Sequence, residues 1–165
     1  MNIIEILVKE FEQEAQTTRK MLKLVPVDKF DWAPHEKSMK IKNLAIHIAE
    51  IAAWPAMMIG APELDFAKMD YKPTEANSTE DIVAIFEKSY KESKPALEHT
   101  NEGVLEEQWL LRTGEKIHMT MNKYEAVRHS FNQTIHHRAQ LGVYLRLLNI
   151  PIPGTYGPSA DEMEF

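Results

Sequence analysis

The sequence predicts an all-α fold, a four-helix bundle with one long crossover loop and a small β-hairpin before the last helix. Three observations predict it. Four long segments repeat apolar residues near every 3.6 positions, the period of an amphipathic helix. Two capping-box patterns mark helix starts, Ser78 with Asp81 and Asn122 with Glu125. A single polar, proline-bearing stretch, Ala61 to Asn77, reads as the one long crossover loop of such a bundle.

Each element follows in order. The first helix runs from about Asn2 to Leu24, with Ile3, Ile6, Leu7, Phe11, Met21 and Leu22 on its inner side. Two prolines in "VPVDKFDWAPHEKS" end it, and Ser38 is the expected N-cap of a second helix reaching Gly60. Pro55 should kink or interrupt that helix, because proline lacks the amide proton and crowds the preceding turn. The third helix should open near Thr79 and bend at Pro95. "TGE" then separates two short extended pieces as a hairpin. The last and longest helix spans about Lys123 to Leu148, closed by Asn149 and Pro151. The tail "PIPGTYGPSADEMEF" reads as an extended strap.

Composition narrows the function. The chain of 165 residues, 44% hydrophobic and 27% charged, fits one globular domain over 1–165. A net charge of -6 without a lysine–arginine block argues against nucleic acid or an anionic membrane surface as partner. Without cysteine there is no disulfide, no zinc–thiolate site and no cysteine nucleophile. No apolar run approaches the roughly 20 residues of a membrane span, and the N-terminus lacks a basic leader. A cytoplasmic protein is expected.

The chemistry-bearing stretch is "FNQTIHHRAQ", Phe131 to Gln140. Val127, Phe131, Ile135, Leu141, Leu145 and Leu148 define the core arc of its helix. Gln133 and His137, four apart, stack one turn above the other on the flank of that arc, with Gln140 and Tyr144 continuing it. His136 points roughly 100° away, toward solvent or another subunit. On the second helix, His47 shares the inward face of Leu44, Ile51 and Trp54. Side chains from facing helices at such spacing can converge on a metal ion. Equally, His47 can be a core histidine bonded to a carbonyl, and Gln133 a surface amide. His129, one turn before Gln133, could serve as its turn-mate instead of His137. Arg138 falls within the core arc, so it needs an ion-pair partner, inside the bundle or across a dimer, and Glu50 is the expected one.

"HHRAQLGVYLRLLNIPIPGTYGPSADE" together with "SMKIKNLAIHIAEIAAWP" resembles the DinB/YfiT-like superfamily of bacterial four-helix bundles, over most of the chain. The resemblance implies a divalent metal, zinc or nickel, held by three side chains: His47, Gln133 and His137. Gln133 departs from the superfamily's third histidine and offers only an amide oxygen, a weaker donor. It also implies a homodimer and a metal-dependent transferase or isomerase acting with a low-molecular-weight thiol such as bacillithiol or mycothiol. The expected activity is thiol S-transfer to an electrophile held beside Trp54 and Tyr144. The alternative is a non-catalytic dimeric, stress-associated bundle that binds a small molecule or a structural metal.

Overall fold

The computed structural model describes residues 2–70 and 72–163. Four rods form the bundle: α1 (Ile3–Leu22), the broken pair α2 (Ile41–Ile51) and α3 (Trp54–Gly60), α4 (Thr79–Glu98), and α6 (Lys123–Leu147). α4 and α6 each pack against α1 on one side and against α2 and α3 on the other. A short α5 (Glu102–Glu106) precedes β2 (Gln108–Thr113) and β3 (Lys116–Asn122), which form a three-stranded sheet with the earlier β1 (Glu63–Asp65) in the order β1-β2-β3.

The capping boxes of α4 and α6 form as expected. Ser78 and Asp81 exchange side-chain bonds with each other's amides, as do Asn122 and Glu125. α2 begins differently. Its N-cap is Lys40, without a side-chain bond, and not Ser38. The amides of Ile41 and Lys42 instead donate to the carbonyls of Trp32 and Phe30, at 2.8 and 3.4 Å. The first-turn donors are thus met by the preceding loop, and a capping hydroxyl has nothing left to do. Pro55 interrupts the rod after Ala52 and Ala53 and occupies the first turn of α3, where its missing N–H costs nothing. α4, by contrast, runs on through Pro95 to Glu98.

Two contacts seat α3. The Ala56 amide donates to Ser93 Oγ of α4 at 3.2 Å, and Lys123 Nζ donates to the Ile59 carbonyl at 2.8 Å. Lys123 is buried, and Glu107 completes its charge at 2.8 Å. The expected hairpin is present as β2 and β3, with Gly114 at φ 56°, a left-handed turn conformation suited to glycine. The crossover loop contributes β1, parallel to β2, where a plain loop was expected. Asp65 holds the two together by accepting the Gly114 amide at 2.8 Å.

The apolar core falls into two clusters. One gathers Leu22, Ile41, Leu44, Ile48, Phe86, Leu141 and Leu145; the other gathers Leu7, Phe11, Leu97, Trp109, Val127 and Phe131 around the sheet. Ile135 and Leu148, expected in the core arc, are only half-buried. On α1 and α6 a polar layer comes between the clusters. Arg138 is 2% exposed and its partner is Glu14 of α1, not Glu50. Its Nη1 donates to Thr18 Oγ1 at 3.1 Å and to the Glu14 carbonyl at 3.2 Å. Nη1 also lies 2.6 Å from Glu14 Oε2, at an angle too oblique for a hydrogen bond, so charge attraction carries that contact. The guanidinium reached α1 because Arg138 projects from α6 roughly 100° away from the α2 side.

The C-terminal segment closes this layer from outside. Tyr156 has a largely exposed ring, but its hydroxyl turns inward, donating to Glu14 Oε1 at 2.6 Å and accepting from Arg138 Nη2 at 3.3 Å. Burial, together with the bond to the Glu14 carboxylate, pushes the Tyr156 phenol up to about 12. Asp161 anchors the segment through Arg146 and the Ile152 amide.

Replacing Arg138 alone leaves Glu14 charged and unpaired inside the bundle. Arg138→Met should lower unfolding stability by about 3–5 kcal/mol, whereas Arg138→Met with Glu14→Met should regain most of that loss. Urea midpoints of the two variants check it; a double variant no more stable than the single would contradict the assignment.

Candidate metal centre and adjoining cavity

α2 buries Leu44, Ala45, Ile48 and Ile51, and this packing turns His47 toward α6. On α6 the burial of Arg138 against α1 turns the preceding residue, His137, toward α2. The two imidazoles meet with ring centroids 4.6 Å apart and planes nearly perpendicular, at 77°. Trp54 packs edge-on against His47 at 5.9 Å.

A glutamine orients His137. The His137 Nδ1–H donates to Gln140 Oε1 at 2.9 Å, so in the neutral ring the lone pair lies on Nε2. The Gln140 amide nitrogen donates in turn to the exposed His136 at 3.2 Å, so one amide spans both histidines. One turn earlier, the half-buried Gln133 donates from Nε2 to His129 Nε2 at 3.3 Å. Its carbonyl oxygen is therefore the uncommitted end of that side chain.

Burial pulls the His47 pKa below its ordinary value of 6.5; the neighbouring His137 lowers it further, against a smaller opposing pull from Glu50. His47 is thus a neutral imidazole at pH 7. Among the described residues no three His, Asp or Glu side chains converge as a metal site. Of the three expected ligands, His47 and His137 are in contact, and Gln133 lies on α6 four residues before His137. Two imidazoles suit zinc or nickel, and an amide oxygen beside them would make a weaker set than three imidazoles.

A cavity of about 780 Å³ opens beside His47. Its wall includes Trp54 and Met57 of α3, Trp109 of β2, Met121 of β3 and His129 of α6. A second hollow, about 490 Å³, lies between α6 and the C-terminal segment and touches none of the three expected ligands. Tyr144 does not line the first cavity as expected. It is buried and packs edge-on against Trp32 at 5.6 Å, on the other side of the bundle core. Glu50, expected beside Arg138, instead accepts the Thr74 hydroxyl and faces the cavity.

Of the three ligands expected from the sequence, the structure brings His47 and His137 into contact and pairs Gln133 with His129. Sequence reading gave Gln140 no role, although the spacing to His136 and His137 allowed one. It had no signal for Glu50, Glu92 and the methionines of the sheet as cavity wall, since they come from three separate elements.

The sequence profile of the DinB family matches residues 2–164. Among curated proteins, none matches the chain. Three solved structures share the architecture. A DinB-like protein of Bacillus subtilis aligns at TM-score 0.72 and 18% identity, covering 96% of this chain and 99% of its own. One from Bacillus cereus ATCC 10987 gives 0.71 and 18%, covering 92% and 97%. A protein of Exiguobacterium sibiricum 255-15 assigned to the DinB family gives 0.69 and 19%, covering 93% and 97%. At these identities the likeness is one of fold, while the profile match spans nearly the whole sequence. The chain belongs to the DinB family.

Proposed function

We propose that the protein is a metal-dependent enzyme that joins a low-molecular-weight thiol to an electrophilic acceptor. The observation that carries this reading is the contact of His47 with His137, two imidazoles from facing helices, with His47 lining a large cavity. His47, His137 and the Gln133 carbonyl oxygen would hold the ion. A divalent cation supplies one thing there: it acidifies a thiol, so that a thiolate nucleophile is available at neutral pH. The chain has no cysteine, so the sulfur comes from a co-substrate.

The residues do the remainder. Gln140 keeps His137 in the tautomer whose free nitrogen faces away from it, as outer partners of metal-binding histidines do. His129 holds the Gln133 amide with its oxygen uncommitted. The apolar wall around Trp54 and Trp109 excludes water that would compete with sulfur for the acceptor. Gln133 also favours a second reading, a bundle that binds a small molecule without turnover, because a weaker donor set suits a less demanding ion.

Calorimetric titration of zinc or nickel into EDTA-stripped protein tests the centre. Wild type should bind an ion, His47→Ala and His137→Ala should not, and Gln133→His should tighten binding by about tenfold or more. Absence of binding in wild type and in Gln133→His sinks the metal reading. Tight binding without conjugation of any thiol to any acceptor favours the second.

The His47 shift also predicts a pH dependence for the metal-free protein. The folded pKa lies below the unfolded one, so the unfolded chain takes up protons first as pH falls. The contribution is fully present above 6.5 and is lost as pH drops from 6.5 through the lower folded value. Urea midpoints across that window should fall for wild type and fall less for His47→Gln.

A further inference from the structure

We infer that the cavity beside His47 takes an apolar molecule carrying a positive charge. Its volume of about 780 Å³ lies within the roughly 300–1,000 Å³ of sites that enclose drug-sized ligands. The wall is mostly methionine, leucine and tryptophan, unbranched or flat side chains that adapt to a bulky hydrocarbon surface. The apolar character continues outward. Phe66, Met69 and Met119 belong to the wall and are 49%, 42% and 37% exposed, so the rim is greasy as well as the interior.

Charge selects the ligand's sign. Glu50 and Glu92 line the cavity, and among the described residues no lysine or arginine does. Among the described residues neither carboxylate forms an ion pair with the protein. Glu50 accepts one hydroxyl, from Thr74, through Oε1. Glu50 is half-buried in the wall and Glu92 is exposed beside it, and together the two carboxylates give the cavity a negative field that attracts a cation and repels an anion. Trp54 adds an aromatic ring on which an ammonium group can settle. That this ligand is the acceptor in thiol transfer rests on the reading proposed above; that it binds does not.

Three probes of one shape separate the possibilities: anthracen-9-ylmethyl-trimethylammonium, anthracen-9-ylmethanol and anthracene-9-acetate. Binding is read as quenching of tryptophan emission in EDTA-stripped protein. The ammonium probe should bind about tenfold or more tighter than the acetate, with the alcohol between them. Glu50→Gln with Glu92→Gln should bring the ammonium and the alcohol to within about twofold, with circular dichroism unchanged. Acetate binding as tightly as ammonium, or a preference that survives the double substitution, overturns the inference, and so does the absence of quenching by any probe. Ammonium binding in a protein that takes up no metal keeps the inference and removes thiol transfer; metal uptake without ammonium preference does the reverse.

Discussion

An arginine buried to 2% exposure can be kept in a bundle only where its charge and its donors are met together. Glu14, Thr18 and Tyr156 meet them on the α1 side of α6. Rolling α6 about its axis would tear the guanidinium from all three, so the pair fixes the rotation of the longest helix. His137 is the neighbouring residue, and a step of roughly 100° along the helix carries it from the α1 side to the α2 side. The meeting of His47 and His137 is thus a consequence of how Arg138 is buried. An ion pair on one seam aims an imidazole across the other.

Polar and apolar matter are divided accordingly. The two hydrophobic clusters occupy opposite ends of α1 and α6, and Glu14, Thr18 and Arg138 share the level between them. The sheet is not an ornament on this plan. β1 and the β2–β3 hairpin carry Leu64, Leu111, Met119 and Met121 to the open flank of α3 and α6, which deepens a groove between helices into a cavity with an open rim. Lys123 links the start of α6 to the end of α3 at the same place.

What could be read from the sequence was local or periodic. Ser78 with Asp81 and Asn122 with Glu125 signal helix starts through bonds made within four residues, so no tertiary context is needed. His47 was legible because the apolar residues around it define a face. Pairings decided by distant partners were not. Glu-Leu-Asp at 63–65 becomes a strand only because β2 offers it an edge. Ser38 has the chemistry of a cap but loses to carbonyls supplied by Trp32 and Phe30. Arg138 announced a need for a carboxylate, and both Glu14 and Glu50 were available in the sequence; only the roll of α6 chooses between them.

The phenol of Tyr156 bridges Glu14 and Arg138 from a segment that has no regular secondary structure of its own. The bundle is therefore latched by a surface strand of chain whose hook enters the interior. Trimming the protein after α6 would leave every helix its full length, yet water would reach the guanidinium, and the helix bearing His137 would lose one of the fixings that set its roll. Injury at the periphery would be felt at the centre.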